Sequence, residues 1–597
     1  MKTRARFYLP YFFLFLAAPC TVRAQAAVEY RERAATEHSW PQHAVRVAHG
    51  MVATDEELAS KAGVEILEKG GNAVDAAVAT GFALAVVEPA AGNIGGGGFM
   101  LVRLADGRTS FLDYREVAPG KATRDMYLDA NGQLIPQAST VGYRSVAVPG
   151  TVAGLTLALK TYGTMKLTDV MTPAIRLAEE GFPVSEKLAR EFAEERAGLQ
   201  RFSESRRIFL KNGQMYQVGE IFRQPELAAT LKRIAKNGAA EFYSGETAHT
   251  IAREMTGMGG LITLDDLANY KPKIREALHA DYEADGHAWE VITSPPPSSG
   301  GVAVIESLNM LQGIPLKGWS DAESIHMVAE VMRRAFADRA AYLADPDYNK
   351  VPVAGLISPC YAKDLDATID PEHASSSKVI HAGEPHVCGA AASGSAPGAV
   401  SLNDGPHTTH FSVVDAAGNA VASTYTLNNS YGSHVTTSAG FFLNDEMDDF
   451  TSQPGAPNAL FGLIQSAANE ISPGHRPLSS MTPTMLVRDG KLSFVTGSPG
   501  GPGIISAVLL SVVNWMRLGM PAQAAINAPR FHHQWMPDKI FLEPGISAEV
   551  EEKLKAMGYT TARRGHIGLV NAIGIDPLTG ERLGAADPRD NGSAVGY

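Results

Sequence analysis

The chain has 597 residues, of which 45% are hydrophobic and 19% are charged, and its formal net charge at pH 7 is −12. This composition is typical of a soluble globular protein with a large core. The acidic balance argues against a nucleic-acid-binding protein, which would present a basic face.

The first 24 residues have the pattern of a secretory signal peptide. Lys2, Arg4 and Arg6 precede a short apolar run over residues 7–18, and Val22-Arg23-Ala24 fits a small-residue cleavage site. The run is shorter than the roughly 20 residues that span a bilayer, so a membrane anchor is the weaker interpretation and no stable membrane span is expected. We therefore predict export to the periplasm, or alternatively secretion into the medium.

Residues 54–88 predict two helices. Thr54 is a plausible N-cap for the first, Gly70-Gly71 ends it, and Asn72 begins a second helix that is apolar nearly all round over residues 73–87 and is therefore predicted to be buried. The glycine cluster at 95–98 lacks the spacing of a phosphate-binding loop and predicts a tight turn. Strand patterns follow at 99–103 and 110–114.

Helical patterns dominate the middle of the chain, and β patterns dominate its last third. Helices are predicted at 151–162, 168–180, 186–198, 225–237, 245–257, after Gly300-Gly301 and at 322–344, with two strands inside 275–293. Strands are predicted at 409–415, 420–426, 440–443, 482–488, 492–497, near 566–574 and at 581–585. Helices are predicted near 503–517, 521–527 and 547–556.

Residues 374–407 interrupt these patterns. The stretch is rich in small, polar and turn-forming residues, such as Ser375-Ser376-Ser377 and 390–398. Such a composition buries too little apolar area to order itself, so it predicts a flexible linker in which the backbone can be cut.

Thr408 begins the strand that follows this linker. A hydroxyl in the interior of a chain has no base guaranteed beside it, but cleavage before Thr408 would create a free α-amine next to its own Oγ. An α-amine titrates near ~7.7–8.0 and can accept the hydroxyl proton at neutral pH. Gly500-Gly501, between a predicted strand and a predicted helix, could supply oxyanion donors. The pattern predicts acyl-transfer chemistry, although a Thr-Thr pair on a strand can also reflect β-propensity alone.

Cysteine and histidine residues give little further guidance. Cys360 and Cys388 could pair in an oxidising compartment, but the sequence does not decide this. No closely spaced ligand set predicts a zinc site. His532-His533 are interpreted as structural residues or polar surface.

Ordered motifs along nearly the whole mature chain resemble the γ-glutamyltranspeptidase family of N-terminal nucleophile hydrolases. The motifs are Gly70 to Ala76, Asn93 to Phe99, Asp113-Tyr114-Arg115-Glu116, Val148-Pro149-Gly150, Pro295 to Gly301, Thr408 to Asp415, Thr424 to Asn428, Asn444 to Phe450, Arg476 to Met481 and Gly497 to Gly501. The resemblance implies an α+β fold: a four-layer αββα sandwich with two stacked, mainly antiparallel sheets, built jointly by two subunits.

The resemblance also implies a self-processing enzyme. The precursor would be cut between His407 and Thr408 into a large subunit, 25–407, and a small catalytic subunit, 408–597, which stay associated. The nucleophile is Thr408, the acceptor of its hydrogen bond falls on Thr426, and the oxyanion hole falls on Gly500 and Gly501. Glutathione or another γ-glutamyl compound would donate its γ-glutamyl group to water or to an amino-acid or peptide acceptor. The resemblance implies no metal and no organic cofactor.

Six further residues fall on the family's substrate-binding positions. Arg115 would bind the α-carboxylate, with Ser479 and Ser480 beside it, and Asn428, Glu446 and Asp449 would bind the α-amino group. Such opposed charges suit a zwitterionic amino-acid head. Glu446 replaces a glutamine found in some bacterial relatives. Residues 454–466 would form a lid, with Phe461 where close relatives have tyrosine.

Three alternatives stay open on sequence grounds. A glutaryl-cephalosporin acylase on the same scaffold would not need to bind an α-ammonium, so Asn428 and Asp449 argue against it. A poly-γ-glutamate hydrolase would need an open groove, which the lid segment disfavours. An uncleaved, non-catalytic binding protein that keeps the pocket is the remaining alternative.

Overall fold

The computed structural model describes residues 40–389, 408–453, 458 and 460–597. The predicted signal peptide, 1–24, and His407 lie outside the described residues. Among the helices of the described part, none has the length and apolar character needed to cross a lipid bilayer.

The helices of the described residues succeed one another along most of the chain. In order they are α1 Glu57–Glu68, α2 Ala73–Val87, α3 Thr151–Tyr162, α4 Leu167–Val170, α5 Thr172–Glu180, α6 Glu186–Glu194, α7 Arg196–Arg201, α8 Ser203–Phe209, α9 Pro225–Asn237, α10 Ala239–Ser244, α11 Glu246–Met258, α12 Leu264–Asn269, α13 Gly300–Leu311, α14 Ala322–Tyr342, α15 Val353–Leu356, α16 Pro359–Asp366, α17 Gly503–Met516, α18 Ala522–Asn527 and α19 Ala548–Ala556.

The strands of the described residues lie mainly at the beginning of the chain and in its last third. In order they are β1 Val45–Val47, β2 Met51–Thr54, β3 Gly97–Arg103, β4 Thr109–Tyr114, β5 Phe182–Pro183, β6 Ile221–Phe222, β7 Lys273–Arg275, β8 Leu278–Ala284, β9 His287–Thr293, β10 Thr408–Val414, β11 Ala420–Thr426, β12 Thr484–Arg488, β13 Lys491–Thr496, β14 Phe531–His532, β15 Ile540–Leu542, β16 Thr561–Arg563, β17 Ala572–Ile575, β18 Arg582–Ala585 and β19 Ser593–Gly596.

Two large sheets form the centre of the molecule. In the described residues, sheet I has the order β19-β2-β10-β11-β3-β4-β7 and sheet II has the order β1-β18-β17-β13-β12-β9-β8. Pairing within both sheets is antiparallel. Each sheet combines strands from before and after Thr408, so neither half of the chain could form its sheets alone.

Side chains of sheet I alternate between two cores, as the twofold period of a strand requires. Val52 and Met100 pack with helices α1, α2 and α3 on one side. Met51 and Phe99 pack on the other side with Phe494 of sheet II, and this second core extends to α13, α14 and α17. The layers are therefore helix, sheet, sheet and helix, and the predicted αββα sandwich is confirmed.

The buried helix α2 shows why the sequence begins a helix where it does. Asn72 accepts hydrogen bonds from the backbone N–H of Val74 and Asp75, while Asp75 accepts from the N–H of Asn72. This reciprocal capping satisfies N–H groups that the first turn leaves unpaired. All residues of α2 are buried, as its apolar pattern predicted.

Two of the places where the prediction was wrong have a clear local cause. Helix α1 is capped by Glu56, whose carboxylate accepts from the N–H of Leu58, because Thr54 still belongs to β2. Residues 440–443 form no strand beyond a single bridge between Thr436 and Phe442, since Gly440 at φ +97° turns the backbone there.

Residues 374–389 of the predicted linker contact the folded body. The N–H of Ser377 donates to Asp538, and the indole N–H of Trp535 donates to the carbonyl of Ser377. Cys388 forms a disulfide with Cys360, with their Cα atoms 5.3 Å apart. Residues 390–407, the rest of the predicted linker, lie outside the described residues.

The pair His532-His533 lies in the core rather than on the surface. Both rings are buried. The Nδ1 of His532 lies 2.7 Å from Ser506 Oγ, and its Nε2 lies 2.8 Å from Gln534 Oε1. The structural interpretation of this pair therefore fits, and the surface interpretation does not.

Candidate active site

Thr408 lies at the first position of β10, directly opposite Thr426 of β11. The Oγ1 of Thr408 donates to the Oγ1 of Thr426 at 3.1 Å, and Thr426 Oγ1 also accepts from the N–H of Asn428 at 2.8 Å. Thr408 is 9% exposed, so its hydroxyl is nearly enclosed. The predicted nucleophile and its predicted hydrogen-bond acceptor are thus together.

The other edge of β10 is held by a side chain at its beginning. Within β10, only Ser412–Val414 pair with strand β2, and beyond them the carboxyl group of Asp55 accepts from the Thr409 hydroxyl at 2.8 Å and from the N–H of His410 at 3.4 Å. Burial raises the pKa of Asp55 to about 8, and the nearby Glu88 contributes to this increase. Asp55 therefore continues the support of β10 where the neighbouring strand stops.

His410 lies two residues after Thr408, but it is not suited to act as its base. Burial lowers the pKa of His410 to about 3, so the ring is neutral at physiological pH. Its Nδ1 lies 2.8 Å from Thr424 Oγ1 and its Nε2 lies 3.1 Å from Ser412 Oγ, so both nitrogens are engaged. His410 therefore has neither a suitable pKa nor a free ring nitrogen for this role.

Gly500 and Gly501 lie between β13 and the start of α17, as the sequence predicted. Their φ angles are +126° and +54°, a region that glycine adopts without steric cost. Phe461 of the predicted lid covers Gly501, because a Cβ built there would lie 2.5 Å from Cε1 of the Phe461 ring. Helix α17 extends over 14 residues, and the N–H groups of Gly503 and Ile504 in its first turn donate to the carbonyls of Gly500 and Gly501 at 3.0 and 3.1 Å, so the helix start holds the turn and adds a partial positive charge beside it.

Arg115 lies at the centre of a buried group of charges. Its guanidinium donates to the carboxylates of Glu446 and Asp449 and, at 3.2 Å each, to the carbonyls of Pro477 and Leu478. Burial alone would lower the pKa of Arg115, but Glu446 and Asp449 outweigh it and raise the pKa above its usual value. Arg115 is therefore a permanent cation paired with two acidic side chains.

Glu116 adds a third carboxyl group beside Arg115, with one oxygen 3.6 Å from the Nη1 of that arginine. Burial raises the pKa of Glu116 to about 7 and raises the pKa of Glu446 well above its usual range, while Arg115 opposes both shifts. Since two buried carboxylates repel each other, the pair Glu116–Glu446 retains a proton near neutral pH.

Ser479 and Ser480 lie next to the two carbonyls that Arg115 binds. The Oγ of Ser479 accepts from the N–H of Met481 at 3.1 Å, and the Oγ of Ser480 accepts from the guanidinium of Arg339 at 3.4 Å. Among the described residues, neither serine hydroxyl donates its own hydrogen to an acceptor. Both hydroxyls can therefore donate to a bound anion.

Asn428 connects the nucleophile to the charged group. Its N–H donates to Thr426, and its side-chain amide donates to the carbonyl of Asp445 at 3.2 Å, next to Glu446. Its φ of +80° is unusual for a residue other than glycine. The predicted site positions that fall within the described residues are all buried or lie in the Gly500–Gly501 turn, and His407 is the one outside them.

Part of the lid segment, 454–466, is described. Phe461 is 8% exposed, the N–H of Leu460 donates to Asp448 at 3.1 Å, and Gln534 donates to the carbonyl of Phe461 at 3.4 Å. Residues 454–457 and 459 lie outside the described residues. The described part of the lid segment therefore contacts the Gly500–Gly501 turn through Phe461 and the acidic segment at 445–449 through Leu460.

Sequence reasoning does not single out Asp55 or Arg339. The local pattern indicates only that Asp55 is an acidic residue in the first turn of a helix, and Arg339 lies on α14 among other arginines with no motif of its own. Glu116 appears only as a member of a motif. Each of the three stands directly beside another charged residue in the chain, so no local signal separates it from a surface charge, and the sequence does not reveal which charges share a pocket.

Comparisons with known proteins agree with one another. The family model for gamma-glutamyltranspeptidase matches residues 59–597. The glutathione hydrolase proenzymes of Pseudomonas sp. (strain A14) and Escherichia coli (strain K12) are 44% and 45% identical to this chain. They cover 94% and 92% of it, and the matches span 96% and 91% of those proteins.

A solved structure shares the fold. The cephalosporin acylase from Bacillus halodurans superimposes with a TM-score of 0.80 at 28% identity, covering 93% of this chain and 97% of that protein. The family match, the two relatives and this fold agree with the motifs and with the geometry around Thr408. The chain belongs to the γ-glutamyltranspeptidase family.

Proposed function

We propose that this chain is a self-processing γ-glutamyl transferase and hydrolase that uses Thr408 as its nucleophile. Its donors are glutathione and related γ-glutamyl compounds. The central observation is the hydroxyl pair Thr408–Thr426, joined through Asn428 to a buried group of one guanidinium and several carboxyl groups. This group has the charges that a zwitterionic amino-acid head requires.

Self-processing creates the base. The Oγ of Thr408 attacks the carbonyl carbon of His407, a C–O bond forms, and the C–N bond of the peptide breaks as its nitrogen takes up a proton. This step already frees the α-amine of Thr408, and water then hydrolyses the resulting ester, giving the carboxylate of His407 and the free hydroxyl of Thr408. The products are the large subunit, 25–407, and the small subunit, 408–597, which the shared strands of both sheets hold together.

Turnover repeats the same attack on the γ-amide of the donor. The α-amine accepts the proton of the Thr408 hydroxyl, and Thr426 orients this hydroxyl through its hydrogen bond. The N–H groups of Gly500 and Gly501 stabilise the oxyanion, and the amine product leaves with the proton. The γ-glutamyl ester on Thr408 is then transferred to water or to the amine of an amino acid or peptide.

Recognition of the donor uses opposite charges. Arg115, Ser479 and Ser480 bind the α-carboxylate, and Asn428, Glu446 and Asp449 bind the α-ammonium. A paired, buried carboxylate such as Asp449 accepts a charge-assisted hydrogen bond, which is stronger than a neutral one. A glutaryl donor has no ammonium and would leave these acceptors unused.

Export is part of the proposal. The predicted signal peptide, 1–24, would direct the precursor out of the cytoplasm to the periplasm, or alternatively to the medium. The disulfide between Cys360 and Cys388 supports this, because disulfides persist mainly in oxidising compartments.

Two measurements test the proposed function. We expect Thr408→Ala to remain a single uncut chain without activity, and Thr408→Ser, which keeps the hydroxyl, to be cut more slowly and to retain activity. We also expect the wild-type enzyme to prefer γ-glutamyl-p-nitroanilide over glutaryl-p-nitroanilide. Equal or better turnover of the glutaryl anilide would favour the acylase alternative.

A further inference from the structure

Arg339 of α14 is a buried cation without a carboxylate partner. It is 2% exposed, and within the described part of the chain no carboxylate oxygen lies within 4.0 Å of its guanidinium. Its Nε donates to Ser299 Oγ at 2.9 Å, its Nη2 donates to Ser480 Oγ at 3.4 Å, and its Nη1 has no hydrogen-bond partner among the described residues.

Other fully buried arginines in the described residues do have carboxylate partners. Arg333 and Arg334, on the same helix, both bind Glu330, and Arg530 binds Asp587 at 2.6 Å. A buried charge is costly unless it is paired. Burial accordingly lowers the pKa of Arg339 to about 10, with Asp449 opposing the shift, so the residue is still a cation at neutral pH. An anion bound beside Arg339 would compensate its buried charge, and the described residues do not supply one.

Arg115 has too few free N–H donors to bind a substrate carboxylate through two hydrogen bonds by itself. A guanidinium has five N–H donors. In Arg115, Nε donates to Pro477, Nη1 donates to Glu446, and Nη2 donates to both Asp449 and Leu478. Four donors are therefore occupied, and a carboxylate cannot be bound through two of them unless an existing contact breaks.

Ser480 connects Arg339 to the proposed carboxylate site. Because its Oγ accepts from Arg339, the hydroxyl hydrogen is turned away from the guanidinium and is available to another acceptor. Ser299, the second partner of Arg339, donates from both its N–H and its hydroxyl to the carbonyl of Ser479, at 2.7 and 2.6 Å. Arg339 thus supports both serines that are proposed to bind the carboxylate.

We propose that Arg339 is a positioning and specificity-determining residue for the α-carboxylate of the donor. It orients the Ser480 hydroxyl to donate to that carboxylate, and its unpaired positive charge stabilises the bound anion, while Arg115, still engaged with Glu446 and Asp449, contributes its one remaining N–H. The inference rests on the proposed γ-glutamyl function.

Three anilides separate this role from a structural one. γ-Glutamyl-p-nitroanilide has both the α-carboxylate and the α-ammonium, glutaryl-p-nitroanilide has only the carboxylate, and 4-aminobutyryl-p-nitroanilide has only the ammonium. We expect Arg339→Gln to lower kcat/KM for both carboxylate-bearing donors by about 10- to 100-fold, mainly through KM, the range for a lost charged hydrogen bond. The 4-aminobutyryl donor should change by less than about threefold, since it has no carboxylate to lose a contact.

Further variants keep the test decisive if Arg339→Gln folds poorly. Arg339→Lys retains the charge and should recover most of the loss. Ser480→Ala should show the same donor pattern, and combining it with Arg339→Gln should cost less than the sum of the two. Arg334→Gln, a buried arginine on the same helix, is the matched control; it should lower the melting temperature and leave the ratio between donors unchanged.

Contradictory results are equally clear. An equal loss for all three donors would assign Arg339 a purely structural role, and no loss for any donor would exclude the proposal. Failure of the proposed function would look different, because the wild-type enzyme would then show no preference for γ-glutamyl-p-nitroanilide before any residue is changed.

Discussion

The hydroxyl oxygens of Thr408 and Thr426 lie 3.1 Å apart because the two residues face each other across the antiparallel strands β10 and β11. This pairing makes the register of sheet I part of the site. A slip of one residue would turn either hydroxyl to the opposite face of the sheet. The ladder continues from Thr426 to Gly97 of β3, so the register is fixed on both sides of β11.

Replacing Thr426 by valine should slow both self-cleavage and turnover. Valine keeps the shape but removes the oxygen that accepts from Thr408 and from the N–H of Asn428. We expect a loss of about 10- to 100-fold in each rate, consistent with one hydrogen bond to a charged or reacting group. Gel time courses of the precursor and kcat of the processed fraction measure the two effects. Thr426→Ser is the matched control, and a valine variant as fast as this serine variant would contradict the role.

The contact between Phe461 and Gly501 predicts a rescue. A Cβ at Gly501 would lie 2.5 Å from the Phe461 ring, so Gly501→Ala should lower kcat by about 10- to 100-fold through crowding. Phe461→Ala should restore this variant to the level of Phe461→Ala alone, because φ +54° is tolerated by alanine at a modest cost.

Gly500 provides the contrast. Its φ of +126° lies outside the regions open to alanine, so Phe461→Ala should not rescue Gly500→Ala. Comparing kcat for the single and double variants tests the arrangement. Rescue at both glycines, or at neither, would show that Phe461 does not cover Gly501 in solution.

The carboxyl pair Glu116–Glu446 predicts how stability depends on pH. Burial raises both pKa values in the folded state, that of Glu116 from 4.5 to about 7. A raised pKa gives stability that is fully present below about pH 4.5 and is lost as pH rises through about 7. The loss reaches at most about 1.4 kcal/mol per pH unit for one proton.

Glu446→Gln removes one of these titrating groups. We therefore expect its free energy of unfolding, measured with denaturant from about pH 4.5 to about pH 8, to fall less steeply with pH than that of the wild-type protein. Glu552→Gln changes an exposed side chain and should follow the wild-type slope. Identical slopes for Glu446→Gln and the wild type would mean that the pair does not hold a shared proton.

The disulfide between Cys360 and Cys388 should stabilise the protein measurably. The two cysteines are 28 residues apart in sequence, and closing a loop of that size is worth about 3.6 kcal/mol in the chain-entropy model. The double variant Cys360→Ser/Cys388→Ser should lose about this much in denaturant unfolding. Wild-type protein under reducing conditions should match the variant. Equal stability of the oxidised protein and the variant would contradict the expectation.

Much of the fold could be predicted from the sequence, because its elements have strong local signals. Helix α2 has a capping residue and an unbroken apolar stretch, and β10 and β11 alternate around a turn that contains Gly418. The short strands β1, β2 and β19 were missed, since three or four residues give too little periodicity to recognise. They become strands because long-range pairing places β1 beside β18, β2 beside β10, and β19 beside β2.

Some residues of the candidate site could likewise be predicted from the sequence, and others could not. Thr408, Arg115 and Gly500–Gly501 belong to contiguous motifs that are recognisable in the sequence. Arg339 and Asp55 belong to no such motif, since their significance comes from neighbours 141 and 354 residues away in the chain, Ser480 and Thr409. Likewise, the protonation of Glu116 and Glu446 follows from burial beside each other, which no local pattern encodes.

Intact-mass spectrometry of the purified protein, before and after brief exposure to a γ-glutamyl donor, tests the central claim most directly. The account predicts two polypeptides, the smaller spanning residues 408–597, and a transient γ-glutamyl adduct on that smaller polypeptide at Thr408. An active protein that remains uncut, or whose second polypeptide begins at another residue, would contradict it.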